Sequence, residues 1–95
     1  MKKKYVETKS VQDMAKLFHL SDREKTKIEI RIALAVAITK CIEKKGLTHL
    51  QASKMTGIGR TVITAIVNGN LAKISTDRLI DVAEGLGLHV HLKVA

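Results

Sequence analysis

The stretch "TGIGRTVITAIVNGN", residues 56–70, decides the fold of this 95-residue chain. Two glycines two positions apart are followed by Arg60 and then by a run rich in β-branched residues. A Gly-x-Gly sequence before a basic residue occurs in phosphate-binding loops at a helix start, and also in tight turns that join two helices. The spacing of the residues around it distinguishes these interpretations.

The phosphate-loop interpretation fails on spacing. A dinucleotide-binding loop needs a third glycine at position 62, where the chain has Val62, and a preceding strand, where the chain reads "LQASKM". In contrast, Ile63, Ile66 and Val67 repeat with the period of a helix, and adjacent apolar pairs break the alternation of a strand. Residues 60–68 are therefore predicted to form a short helix after a turn.

The other side of this predicted helix carries Thr61, Thr64, Ala65 and Asn68, with Arg60 next to them. Solvent-facing helix stripes are usually rich in Lys and Glu, and this stripe has neither. Because nothing on it is bulky or acidic, it suits the major groove of DNA.

Capping signals and hydrophobic periodicity predict further helices on both sides. In chain order they are residues 11–18, residues 22–45 between the Ser21–Glu24 capping box and Gly46, residues 49–56 between Thr48 and Gly57, and residues 76–86 after Ser75. The final stretch "LHVHLKVA", residues 88–95, alternates apolar and polar residues and predicts a half-exposed strand. Such a strand needs a partner, either near Tyr5 or in a second subunit.

The formal net charge of +8 points to a polyanionic partner. Its distribution supports this, because no acidic residue lies between Lys44 and Thr76. The aromatic share of 2% argues against aromatic platforms that stack single-stranded bases. Double-stranded DNA is therefore the expected nucleic-acid partner.

Other classes of function have weak support in the sequence. The single cysteine, Cys41, lies in an apolar run and is expected to be a buried core residue. His89 and His91 share one face of the predicted strand, but exposed strand residues explain them better than a metal site. We expect no metal, no cofactor, no catalytic residues and no membrane partner, since no catalytic motif and no membrane-spanning apolar stretch occurs.

The segment "GLTHLQASKMTGIGRTVITAIVNGN" and the helices around it, residues 27–88, resemble the helix-turn-helix of the Xre/Cro-repressor superfamily. That superfamily has a small residue in the second helix, a glycine four positions later and an aliphatic residue six beyond that, and Ser53, Gly57 and Ile63 occupy those positions. Three departures are His49, where the superfamily usually has Gln, Gly59, where it usually has a Ser or Thr cap, and Ser53, where alanine is commoner.

The expected fold is mostly α, with four to five helices, a lambda-repressor-like helix-turn-helix and a short C-terminal β-strand. Residues 1–20 are expected to form an arm with a short helix, residues 21–88 the DNA-binding domain with the helix-turn-helix at 48–68, and residues 89–95 the strand, all in one compact domain.

Nearly the whole chain resembles the HigA-like antitoxin branch of that superfamily, through the charged capping box, "GNLAKISTDRL" and "LGLHVHLKV". The resemblance implies a bacterial, cytoplasmic, nucleoid-associated antitoxin of a type II toxin-antitoxin module. Such a protein represses its own operon as a homodimer and binds a protein toxin. The alternatives are a phage- or plasmid-type Xre repressor without a toxin, a protein-binding module, and a small basic ribonuclease toxin.

The helix-turn-helix interpretation assigns candidate DNA contacts. The expected base contacts are Arg60, Thr61, Thr64 and Ala65, and the expected backbone contacts are Thr48, His49, Gln51, Lys54, Asn68, Asn70 and Lys73. Because one such helix reads few base pairs, a homodimer on a palindromic operator is expected. Its interface is either the long apolar helix or the C-terminal strand.

Overall fold

The computed structural model describes residues 21–95, which contain four helices joined by short turns. They are α1 (Asp22–Lys45), α2 (His49–Thr56), α3 (Arg60–Val67) and α4 (Thr76–Gly85). The predicted helices over residues 22–45 and 49–56 are confirmed, and those over 60–68 and 76–86 each end one residue earlier than predicted. The arm and its short helix, residues 1–20, lie outside the described residues.

Local signals explain where the helices begin. The Oγ atom of Ser21 accepts a hydrogen bond from the backbone N–H of Glu24 at 3.2 Å, which caps α1. The return bond of a capping box, from the Ser21 N–H to the Glu24 side chain, is absent from the described residues. Ser75 caps α4 in the same way, through the N–H of Arg78 at 3.1 Å. Each cap satisfies one of the donors that an α-helix leaves free at its N-terminus.

Glycines end the first two helices. Gly46 and Gly57 have positive φ angles of 62° and 71°, a left-handed conformation that costs glycine little because it has no Cβ. The N–H of Gly57 donates to Ser53 O at 2.9 Å and closes the last turn of α2. Helix α3 begins at Arg60, so a turn of three residues, 57–59, joins α2 to α3.

The core is aliphatic, as expected for a chain with so few aromatic residues. The fully buried larger side chains come from α1, α3, α4 and the residue after α4; they are Ile38, Ile63, Ile66, Leu79, Val82 and Leu86. Cys41 is also buried, as predicted. Helix α1 packs on α3 and α4, and α2 packs on the same two helices. This arrangement fixes the rotation of α3, because Ile63 and Ile66 must point inward.

Two basic side chains of α1 hold the α3–α4 connection and the end of α4. The Arg31 guanidinium donates to the carbonyl oxygens of Leu71 and Ile74 and to Thr76 Oγ1, the first at 2.6 Å and the last at 3.1 Å. Lys45 Nζ donates to Leu86 O at 2.7 Å. These charged donors satisfy backbone carbonyls that the ends of α-helices and loops leave unpaired.

The predicted C-terminal strand is not seen in the described chain. Residues 88–95 have no regular secondary structure, and the described residues contain no strand. A strand depends on hydrogen bonds to a neighbouring strand, and no partner segment lies beside this one in residues 21–95. Instead, the Val90 N–H donates to Glu84 Oε2 at 2.7 Å, while Leu92 and Val94 remain largely exposed.

No helix within residues 21–95 combines the length and the apolar character needed to cross a bilayer.

Candidate nucleic-acid interface

The outward side of α3 is the centre of the candidate site. Its inward side is held by Ile63 and Ile66, which are 0% and 1% exposed. With 3.6 residues per turn, this places Arg60, Thr61 and Thr64 away from the core. Arg60 and Thr61 are exposed, and Thr64 is half-buried. Gly59 is the N-cap residue of α3 and has no side chain to cap the helix. The first backbone N–H groups of α3 therefore have no side-chain acceptor.

One flank of α3 forms an open groove with the loop that follows it. The groove is lined by Thr61, Val62, Ala65 and residues 69–74, which include Asn70 and Lys73. Two predicted base contacts and two predicted backbone contacts therefore share one concave surface. Val62 was not among the predicted contacts, because the helical pattern assigns it to neither side.

The other flank of α3 contacts the start of α2. His49 Nδ1 lies 2.8 Å from Thr64 Oγ1, and both side chains are half-buried. His49 was predicted to contact phosphate and Thr64 to contact a base. The structure shows that these two residues bind each other, although 15 positions separate them in the chain.

The first turn of α2 holds a full capping box. Thr48 Oγ1 accepts from the Gln51 N–H at 3.0 Å, and Gln51 Oε1 accepts from the Thr48 N–H at 2.8 Å. Both residues were predicted contacts of the DNA backbone, and Thr48 was also the predicted cap of α2. The return bond from Gln51 was not predicted, although Thr-x-x-Gln is the capping-box pattern. The box fixes the first turn of α2 beside the His49–Thr64 contact, and both of its side chains are exposed.

The chain was compared with known proteins. A family model described as a helix-turn-helix domain matches residues 11–95. The chain belongs to this helix-turn-helix domain family. Membership supports DNA binding. No match was found among curated proteins or among solved structures.

The remaining predicted contacts lie at the edges of the helix-turn-helix. Asn68 is exposed at the C-terminal cap of α3, where its N–H donates to Thr64 O at 3.0 Å. Lys54 is exposed in the last turn of α2, about 7.5 Å along the helix axis from His49, given a rise of 1.5 Å per residue. The structure therefore does not bring Lys54 to the His49 end of the site.

The electrostatics of the helix-turn-helix suit a polyanion. Five basic residues lie in the acid-free segment from Lys44 to Thr76, and all are exposed; they are Lys44, Lys45, Lys54, Arg60 and Lys73. Within residues 21–95 the one ion pair is Lys25–Asp22, at 3.9 Å, so none of the five is neutralised there. Lys45 differs from the others because its bond to Leu86 O makes it part of the fold.

No group of three or more His, Cys, Asp or Glu side chains in the described part of the chain is placed to hold a metal ion.

Proposed function

We propose that this protein is a sequence-specific DNA-binding transcriptional repressor that inserts α3 into the major groove of an operator. The observation that carries the proposal is the outward side of α3 with the loop after it, in a member of a helix-turn-helix domain family. It combines small side chains at Thr61 and Ala65 with the polar and cationic side chains of Asn70 and Lys73. Small residues allow close approach to base edges, while a cation beside them binds phosphate.

The position of each side chain suggests its role. Arg60, exposed at the start of α3, is the candidate for a bidentate contact to guanine O6 and N7. Thr61 and Ala65 lie one turn apart on the same flank and suit base edges and thymine methyl groups. Asn70 and Lys73, on the far side of the groove, suit the phosphate backbone, which positions the protein without reading sequence.

A homodimer on a palindromic operator is the second part of the proposal. Helix α3 has eight residues and is about 12 Å long, so one copy covers few base pairs. Two copies of α3 about 34 Å apart, or a multiple of that, place each helix in one half-site. The two candidate dimer surfaces are the outer side of α1 and the C-terminal residues.

We favour residues 88–95 as the dimer contact. An antiparallel pairing of two copies centred on His91 places Val90 opposite Leu92 and Leu88 opposite Val94. Every apolar side chain then meets an apolar partner on one side of the ribbon. Leu88 is half-buried against the core, whereas Leu92 and Val94 are 74% and 85% exposed. Pairing therefore covers apolar surface and satisfies backbone groups.

The antitoxin role rests on the HigA-like resemblance alone. We propose that the protein binds a small toxin, represses the operon that encodes both, and acts in the bacterial cytoplasm at the nucleoid. Co-expression with the product of the adjacent open reading frame tests this role, because an antitoxin restores growth and co-purifies with its toxin. A phage- or plasmid-type repressor binds its operator but neutralises no neighbouring product.

The absence of enzymatic activity is also a prediction. Incubation of the purified protein with structured and single-stranded RNA tests the ribonuclease alternative. Cleavage that persists through successive purification steps would contradict a purely regulatory role.

A gel shift on the upstream DNA of the gene tests the central proposal. We expect a band that survives excess nonspecific competitor on a palindromic fragment, at two salt concentrations. Arg60→Ala should relax base preference at one position and cost about 1–3 kcal/mol. Lys73→Ala should weaken binding to all sequences alike and flatten the salt slope by roughly one unit.

Lys27→Ala is the matched control, since it removes an exposed cation of α1 outside the acid-free segment. Its affinity and base preference should stay close to those of the unmodified protein. Unchanged base preference in Arg60→Ala would show that α3 does not read the operator. A band that disappears with competitor would leave a basic surface without sequence specificity.

A further inference from the structure

The contact between His49 and Thr64 sets Thr64 apart from other threonines in the fold. Thr26, Thr39 and Thr56 each lie inside a helix and donate their hydroxyl hydrogen to the carbonyl four residues earlier, at 2.8–3.0 Å. Thr64 also lies inside a helix, but its Oγ1 lies 2.8 Å from His49 Nδ1 on the neighbouring helix. The hydroxyl of Thr64 is therefore hydrogen-bonded to the His49 side chain of the neighbouring helix and not to the backbone of its own helix.

One hydrogen lies between Nδ1 of His49 and Oγ1 of Thr64. Whether His49 or Thr64 donates it determines whether Nε2 of the imidazole is a donor or an acceptor for a ligand. If the Thr64 hydroxyl donates to Nδ1, a neutral ring carries its own hydrogen on Nε2 and is a donor there. If Nδ1–H donates to Thr64, a neutral ring has a bare Nε2 that only accepts. A phosphate oxygen is an acceptor, so only the first arrangement of a neutral His49 binds it.

Within residues 21–95, Nε2 of His49 makes no hydrogen bond of its own, which leaves it for a partner from outside. His49 begins α2, next to the exposed capping box of Thr48 and Gln51. Of the five basic residues of the acid-free segment, Arg60 lies one helical turn before Thr64 on the same helix. Arg60 and His49 therefore both lie beside Thr64, and a cation there favours an anionic partner.

The same bond limits what Thr64 can read. In the first arrangement its hydroxyl hydrogen is used by Nδ1 and is not available to donate to a base edge. The other substituent on Cβ of Thr64 is its methyl group, which points away from the hydroxyl and makes only apolar contacts. Thymine presents a C5-methyl group in the major groove, and an apolar contact recognises it.

We infer that Thr64 reads a thymine methyl through its own methyl group, while its hydroxyl holds His49 in the Nε2–H form that donates to a phosphate. The inference rests on the proposed operator binding, which it deepens. His49 is then a phosphate contact, and Thr64 is both a base contact and the residue that positions His49.

Two conservative variants separate the two functions of Thr64. Thr64→Val keeps a methyl group and loses the hydroxyl, whereas Thr64→Ser keeps the hydroxyl and loses the methyl. The probe is a duplex of 30 base pairs recovered by binding selection from a random-sequence library, with each thymine replaced in turn by deoxyuridine. Circular dichroism and thermal unfolding check that both variants fold.

We expect deoxyuridine at one position per half-site to weaken binding by the unmodified protein about fourfold, the effect of one buried methyl group. Thr64→Val should keep this sensitivity, and Thr64→Ser should lose it at that position. Thr64→Val should also weaken binding to all duplexes alike, and that loss should disappear in a His49→Ala background. Sensitivity retained by Thr64→Ser, or lost by Thr64→Val, would overturn the assignment.

The tautomer is measured on the free protein by long-range nitrogen–proton NMR. We expect a bare Nδ1 and a hydrogen on Nε2 at a pH where His49 is neutral. An Nδ1–H form would overturn the role assigned to His49, whatever the protein binds. If selection enriches no sequence, the proposed function fails and methyl readout fails with it, while the NMR result still decides the hydrogen-bond arrangement.

Discussion

Gly85→Ala is expected to destabilise the protein, although alanine is the better helix former. Gly85 is the last residue of α4, and a Cβ built on it meets Thr56 Cα at 3.0 Å and Thr56 Cβ and Cγ2 at 3.1 Å. Ordinary carbon contacts lie at about 3.5–4.0 Å, so α2 and α4 would have to move apart. Two of the three contacted atoms belong to the Thr56 backbone or are attached directly to it, and a rotamer change cannot relieve them.

The magnitude follows from two opposing effects. Replacing glycine by alanine in a helix gains about 0.5–1 kcal/mol, an upper value here because Gly85 ends α4. Forcing an extra methyl group into a well-packed contact costs about 1–3 kcal/mol. The net loss is about 1 kcal/mol, which lowers the Tm of a domain of this size by roughly 4–8 °C.

Thermal and urea unfolding of the full chain measure this loss. Thr56→Ser is the matched background, because it removes the Cγ2 contact and keeps the hydroxyl that donates to Ala52 O at 2.8 Å. The cost of Gly85→Ala should be smaller in that background. A Gly85→Ala protein as stable as the original, or more so, would refute the close approach of α2 and α4.

Three further changes test other features of the fold. Arg31→Met should lower the free energy of unfolding by about 2–4 kcal/mol, measured in urea, because it leaves loop carbonyls without their charged donor. Gly59→Ser should raise stability by a few tenths of a kcal/mol, since the position has φ −55° and no atom within 4 Å of a new Cβ, and serine supplies the missing cap of α3. For the proposed dimer through residues 88–95, Leu92→Lys should place charges on the apolar side of the paired segments and lower the dimer fraction in sedimentation. The Tm of the monomer should stay the same, because Leu92 is 74% exposed in the single chain. An unchanged dimer would exclude residues 88–95 as the contact.

Much of the fold follows from local sequence signals. The ends of α1 and α2 depend on hydrogen bonds between residues no more than a few positions apart, as at Ser21 and Gly57. The inward side of α3 follows from the spacing of Ile63 and Ile66. Because these signals involve near neighbours, the order of the residues alone predicts the positions of the helices and the exposed side of α3.

The candidate site was predicted less completely. Four residues of the shared groove, Thr61, Ala65, Asn70 and Lys73, were named from the sequence, but the hydrogen bond between Thr64 and His49 was not. Gln51 was assigned to the DNA backbone, although its side chain closes a capping box with Thr48. Thr64 and Gln51 can each bind either DNA or another protein group. The neighbour that the fold places beside each residue determines which hydrogen bonds form.

By itself, the sequence determined the number of described helices, their ends to within one residue and the inward side of α3, because caps, turns and periodicity act over a few residues. Only the tertiary structure decided which distant groups meet: Arg31 with the loop at Leu71, and Gly85 with Thr56. It also decided that residues 88–95 form no strand within the described chain. Alternation of apolar and polar residues specifies the two sides of a strand, but a strand also needs hydrogen bonds to a neighbouring strand.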